Sequence, residues 1–167
     1  MQEDPLHVVK AVAGSSRLFY NHANTWLLPS DDALQREIRD KILGNLKAIK
    51  IATEEAGAQT AFASFTYPDY EQLPRDEQAY FDRLINTMHW GRTINMASYV
   101  HLVRLYNAEL KKMCEETGAP YLSLAEGFHH GADLFADICH MHPHGMLAKA
   151  EALAELLGPV LQSKGLH

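Results

Sequence analysis

Two short apolar segments lying between much longer helical patterns most constrain how this chain folds. Residues 59–65 (QTAFASF) and 120–124 (PYLSL) are too short for ordinary helices, and polar loops follow both. A unit in which a strand, a helix and a second strand follow one another is normally parallel and right-handed. The alternation therefore predicts a helix-rich α/β fold with two or so short parallel strands.

Helical periodicity accounts for most of the remaining sequence. The predicted helices span residues 5–13, 15–27, 31–56, 75–85, 98–117 and a final segment after Gly145. Their lengths and the 47% apolar composition are enough for one globular core. We therefore expect a single domain over residues 1–167, with a helical lead-in over 1–30 and strand–helix units over 31–167.

Two of these helices carry a clear apolar stripe. In the helix predicted over residues 31–56, the stripe consists of Leu34, Ile38, Ile42, Leu46 and Ile49. In the last, it consists of Met146, Ala150, Leu153, Leu157 and Val160. Such spacing predicts faces that pack on a sheet or core. Gly57 and Gly118 stand where a helix commonly ends with a left-handed residue.

Charge and hydropathy exclude several classes of function. The net charge is −6 and the pI is about 5.9, and there is no run of basic residues of the kind that nucleic-acid-binding proteins carry. No apolar run approaches the roughly 20 residues of a membrane span. We therefore expect neither a nucleic-acid partner nor a membrane span.

The most informative motif is a carboxylate three residues before a histidine, Asp137 and His140, in a loop ahead of the last helix. A carboxylate that bonds one imidazole nitrogen leaves the other nitrogen to take a proton from a nucleophile. An ordinary capped loop explains the same spacing. Cys139, next to His140, is a further candidate nucleophile.

The segment from Asp137 to Leu157 (DICHMHPHGMLAKAEALAELL) resembles the C-terminal block of the SGNH (GDSL-type) esterases and lipases. In that family a D-x-x-H, often D-x-C-H-L-T-P-x-G, precedes the last helix, and Pro143 and Gly145 fit this form. Tyr106–Asn107 and residues 120–124 are also similar to family segments. The resemblance implies a flavodoxin-like three-layer fold, with His140 as general base, Asp137 as its orienting partner and no cofactor.

This sequence has no counterpart of the family's G-D-S motif, which holds the nucleophilic serine. It also has no counterpart of the family's G-x-N-D motif. The resemblance therefore implies a C-terminal portion of a flavodoxin-like hydrolase domain, supplying the Asp–His pair and inactive alone. Its substrate would be a small ester or an acylated sugar. The chain would form a homo-oligomer or pair with a missing N-terminal half.

Substrate contacts are expected in the loop after the first strand, because ligands bind beyond the carboxyl ends of parallel strands. Thr66, Tyr67 and Tyr70 are the candidates there, and an ordinary polar loop is the alternative. His89 and Trp90 lie in a long connection that suggests a lid or a partner surface.

Two other functions remain open. The chain could be a degenerate, non-catalytic interaction module. It could also be a metal protein, because five histidines fall within sixteen residues: His129, His130, His140, His142 and His144. Their spacing matches no regular metal motif such as H-E-x-x-H, and no metal is expected.

Overall fold

The computed structural model describes residues 28–87, 94–128 and 130–163. The helices predicted over residues 5–13 and 15–27, the His89–Trp90 pair and His129 lie outside these ranges.

Helices dominate the described part of the chain, and two very short strands interrupt them. In chain order the elements are α1 (Asp31–Glu37), a π-helical segment (Ile38–Leu43), α2 (Gly44–Glu55), β1 (Phe62–Ala63), a 3-10 turn (Tyr70–Gln72), α3 (Arg75–Thr87), α4 (Met96–Thr117), β2 (Tyr121–Leu122), α5 (Leu124–Gly127) and α6 (Pro143–Ser163). This order confirms the helix-rich α/β class.

The two strands pair in parallel, as the alternation of elements predicted. Phe62 lies opposite Tyr121, and Ala63 lies opposite Leu122. The Ser64 backbone N–H donates to the Leu122 carbonyl at 3.0 Å, just beyond the paired residues. Both strands are shorter than the apolar segments that contain them, because beyond Ser64 the chain leaves its partner strand.

Asn107 on α4 forms hydrogen bonds with the backbone just beyond the end of β1. Its Oδ1 accepts from the Phe65 N–H at 2.8 Å, and its Nδ2 donates to the Phe65 carbonyl at 3.0 Å. One buried amide thus makes the pair of bonds that a neighbouring strand would otherwise make. This contact joins the longest helix to the start of the loop that holds the predicted substrate residues.

Helix α4 is the central element of the core. The Asn95 side chain caps its first turn by accepting from the Ser98 N–H at 2.8 Å, and Gly118 ends it at φ +67°. Val100 and Val103 lie in one apolar cluster, with Phe81 and Phe135, while Leu110 and Met113 lie in a second. The helix therefore joins both halves of the core.

The apolar stripe predicted for the helix after residue 31 is correct only in its first turns. Leu34 and Ile38 are almost fully buried, but the next buried residue is Leu43, and Ile49 is 53% exposed. The step of five from Ile38 to Leu43 coincides with the π-helical segment, whose wider turn rotates the residues that follow. A regular α-helical period does not anticipate this rotation.

The stripe predicted for the last helix is also wrong at its start. Met146 is 57% exposed, and Ala148 and Ala152 pack on the core instead. Gly145 explains the rotation, since a Cβ built there would lie 2.4 Å from the Leu134 carbonyl oxygen. The helix is rotated so that Gly145 faces the loop. The same rotation turns Met146 toward solvent and Ala148 and Ala152 toward the core.

None of the helices in the described ranges combines the length and the apolar character needed to cross a bilayer.

Replacing Asn107 by alanine should lower the free energy of unfolding by about 1–3 kcal/mol, because the substitution removes both bonds to the Phe65 backbone. Urea unfolding followed by circular dichroism measures this change. The matched control is Asn45→Ala on the exposed side of α2, which should stay within about 0.5 kcal/mol of the parent. Equal losses in the two variants would contradict the role given to Asn107.

Candidate active site

Asp137 and His140 lie on a tight loop that is closed by its own backbone. Phe135 and Met141 form an antiparallel bridge, and the Ala136 N–H donates to the His140 carbonyl at 2.9 Å. Phe135 and Ile138 are 0% and 2% exposed, so the loop is anchored in the core by apolar side chains. Asp137 lies between these anchors and His140 follows them, so both belong to a loop that is fixed on the core.

The Asp137 carboxylate organises this loop through three hydrogen bonds. Its Oδ1 accepts from the backbone N–H of Cys139 at 2.9 Å and from that of His140 at 2.7 Å. Its Oδ2 lies 2.7 Å from Nδ1 of the His140 ring. One side chain therefore shapes the turn and orients the imidazole.

Burial of Asp137 alone would raise the pKa of its carboxyl group, but the donors of Cys139 and His140 outweigh it and lower that pKa below its ordinary value. Stability from this carboxylate is therefore fully present above the ordinary carboxyl pKa. It is lost as the pH falls through the lowered value. At neutral pH the group is an anion.

His140 is the exposed half of the pair. Its side chain is 77% exposed, against 19% for Asp137. Since Nδ1 faces the carboxylate, this nitrogen carries the proton, and Nε2 is left as an acceptor. Nε2 has no hydrogen-bond partner within the described ranges. His140 therefore presents one ring nitrogen to the carboxylate and the other to solvent.

Cys139 is not a thiolate nucleophile in this arrangement. Its Sγ lies 3.6 Å from Nδ1 of His140, but that nitrogen already faces Asp137 at 2.7 Å. Burial, and then the charge of Asp137, raises the pKa of the Cys139 thiol to about 11. A thiol with such a pKa stays protonated at neutral pH.

The side-chain atoms of Asp137, Cys139 and His140 that could bind a metal ion lie within 4.8 Å of one another. An ion bound there would displace the hydrogen bond between Asp137 and His140. It would also have to deprotonate a thiol whose pKa is about 11. This chemistry disfavours metal binding by the three residues.

The neighbouring histidines make other contacts. Nδ1 of His130 lies 3.2 Å from the Asp133 carboxylate, and Nε2–H of His144 donates to the Asp133 carbonyl. The His142 and His144 rings stack at 5.5 Å between centroids. His130, His142 and His144 therefore take part in local contacts around the start of α6.

The three predicted substrate residues differ in their burial and in their hydrogen-bond partners. Thr66 is buried, at 2% exposure. The Tyr67 hydroxyl accepts from Nε of Arg104 at 3.3 Å, and Tyr67 lines a surface cavity. Tyr70 donates its hydroxyl to the Asp82 carboxylate at 2.9 Å. No hydrogen bond recorded among the described residues joins any of the three to Asp137 or His140.

Two tyrosines that support the loop were missed in the sequence. The Tyr80 hydroxyl on α3 donates to the Ala136 carbonyl at 2.6 Å. Tyr99, at the start of α4, is 5% exposed; burial and then the charges of Cys139 and Asp137 raise the pKa of its hydroxyl. Both lie on predicted helices, but helical spacing does not show which loop a tyrosine reaches.

Comparison with protein-family models, with curated proteins and with solved structures finds no match to this chain.

Replacing Asp137 by alanine should change the tautomer of His140, because the acceptor that holds the proton on Nδ1 is lost. Long-range ¹H–¹⁵N correlation spectra measure which ring nitrogen is protonated. We expect the neutral ring to be protonated on Nδ1 in the parent and mainly on Nε2 in Asp137→Ala. An Nε2–H tautomer in the parent would contradict the proposed geometry, and His101 serves as an internal reference ring.

Replacing Gly145 by alanine should destabilise the protein by about 1–3 kcal/mol, since the new methyl group would meet the backbone of Leu134. Gly44→Ala at the start of α2 is the control, because the nearest atom to a Cβ there is the Arg39 carbonyl oxygen at 3.9 Å. The control should be neutral or up to about 1 kcal/mol more stable. Thermal unfolding of the two variants distinguishes them, and equal stability would refute the close approach.

Proposed function

We propose that Asp137 and His140 are the acid–base half of a serine ester hydrolase of the SGNH (GDSL) type, and that this chain is the C-terminal portion of such a domain. The observation that carries the proposal is the 2.7 Å contact between Asp137 Oδ2 and His140 Nδ1, together with the 77% exposure of the ring. A loop built only to cap backbone groups needs the carboxylate but has no use for an oriented, exposed imidazole.

In the proposed reaction the nucleophile is a serine hydroxyl from a segment beyond this sequence. Nε2 of His140 takes the hydroxyl proton while the oxygen attacks the ester carbonyl, and Asp137 stabilises the resulting imidazolium. The imidazolium then returns the proton to the departing alcohol, leaving an acyl-serine. Water, deprotonated by the same nitrogen, then attacks the acyl carbon, and the imidazolium gives this proton to the serine oxygen as the carboxylic acid is released.

The sheet supports a division of the domain. A parallel sheet is normally buried and has several strands, and an isolated pair is marginal in water. Here the described sheet has two strands, and Phe65 next to β1 is 42% exposed. In the proposed flavodoxin-like three-layer domain, further strands extend this pair and carry the serine.

The proposed substrate is a small carboxylic ester or an acylated sugar. An imidazole this exposed would reach a substrate held on an open surface. The proposed macromolecular partner is the N-terminal half of the same domain, and a homo-oligomer is the alternative way to complete the sheet.

The test begins with the coding sequence upstream of Met1. We expect an in-frame strand followed by G-D-S, and the joined protein should hydrolyse p-nitrophenyl acetate. In that joined protein His140→Ala should lower kcat by about three orders of magnitude or more, because the general base is lost.

The matched control is His101→Ala, which removes an exposed imidazole from α4 and should leave turnover within about twofold. Turnover of the His140→Ala variant within threefold of the parent would refute the role of His140. A joined protein with no ester turnover and no reaction with a serine-directed phosphonate would instead indicate a non-catalytic interaction module.

A further inference from the structure

A cavity of about 460 Å³ lies along the outer side of α4, between this helix, the loop after β1, the strand β2 and the short helix α5. Its volume is within the range of small-molecule sites. The residues that line it include Tyr67, Arg104, Lys111 and Tyr121, and they include neither Asp137 nor His140. The cavity is therefore distinct from the candidate active site.

The walls of the cavity offer an apolar surface for the body of a ligand. Tyr67, in the loop after β1, and Tyr121, on β2, contribute aromatic rings, and Ala108 and Ala125 contribute methyl groups. The Arg104 guanidinium lies 5.8 Å from the centre of the Tyr67 ring, which holds that ring in place. Flat or branched apolar groups fit between such walls.

Two cations line the same cavity in a chain whose net charge is −6. Arg104 and Lys111 are seven residues apart on α4, which is about two helical turns, so both project from one face. Arg104 is already bonded to Tyr67 and to Glu71, at 3.3 and 2.9 Å. Lys111 is exposed, and no residue of the described ranges pairs with it.

Glu126 is the single acidic residue among those lining the cavity, and no ion pair within the described residues joins it to Lys111. Both oxygens of the Glu126 carboxylate are engaged, one by the Tyr121 hydroxyl at 2.8 Å and the other by the Ser64 hydroxyl at 2.9 Å. The lining thus carries two cations and one carboxylate, which keeps its charge and is held in place by the Tyr121 and Ser64 hydroxyl groups. An ammonium group without a partner, beside an apolar wall, is suited to a ligand with one negative charge and an apolar body.

We propose that this cavity binds a small organic carboxylate, with its anionic group at the Lys111 ammonium and its apolar body between the Tyr67 and Tyr121 rings. The site requires no residue of the Asp137–His140 pair, so it stands or falls independently of the proposed hydrolase function.

Benzoate is the probe, because it combines one carboxylate with a flat apolar ring, and benzamide is its neutral counterpart. Titration of the full ¹⁵N-labelled chain at pH 7 should give saturable shifts of the Ala108, Ala125 and Tyr67 amide signals with benzoate. Benzamide should leave these signals unchanged at the same concentrations.

Lys111→Gln should weaken benzoate binding by at least about tenfold, since a charge-assisted hydrogen bond is lost. Lys111→Arg should retain binding within about threefold, because the positive charge remains. Lys47→Gln is the matched control: it removes one exposed lysine charge from α2, where Lys47 pairs with Glu116, and should not change the affinity.

Four results would overturn the proposal. They are the absence of saturable shifts at the three amides, equal binding of benzamide, an equal loss of affinity in Lys47→Gln, and inorganic phosphate binding as tightly as benzoate. The last result would show that the cavity selects charge without using its apolar walls.

Discussion

The site depends on one partly buried carboxylate, Asp137, that is kept ionised. Removing Asp137 from water raises its electrostatic free energy, and the two backbone N–H donors and the imidazole return more than this cost, as the lowered pKa shows. The same three bonds close the turn and hold His140 in one orientation. The geometry of the Asp137–His140 pair therefore follows from the hydrogen bonds by which the loop stabilises the Asp137 charge. Apolar anchors at Phe135 and Ile138 keep that loop from moving away from the core.

The surrounding fold supplies rigid supports for this loop from several directions. Tyr80 on α3 holds the Ala136 carbonyl, and Tyr99 on α4 packs beneath the turn. Gly145 lets α6 approach the Leu134 backbone, where a larger residue would collide. Because α3, α4 and α6 each supply a support for this loop, the pair is placed by helices rather than by the thin sheet. An imidazole held in this way requires little reorganisation to accept a proton.

Sequence reasoning succeeded where local chemistry decides the structure and failed where packing decides it. The Asp137–His140 spacing, the glycines that end α2 and α4, and the parallel order of the strands are local features, and all appear as predicted. The burial of Ile49 and Met146 was predicted wrongly, because a π-helical turn and the close approach of Gly145 rotate the two helices. The substrate roles of Thr66, Tyr67 and Tyr70, and the catalytic roles of Asp137 and His140, remain predictions.

The sequence by itself determined the class of fold and the residue types that meet in the loop, because apolar periodicity and a three-residue spacing act over short distances along the chain. Only the tertiary structure decided that His140 is exposed while Asp137 is sheltered, that the Cys139 thiol stays protonated, and that a cavity lined by Arg104 and Lys111 opens beside α4. These properties depend on which distant segments exclude water from a group, and burial of that kind is set by packing between elements far apart in sequence.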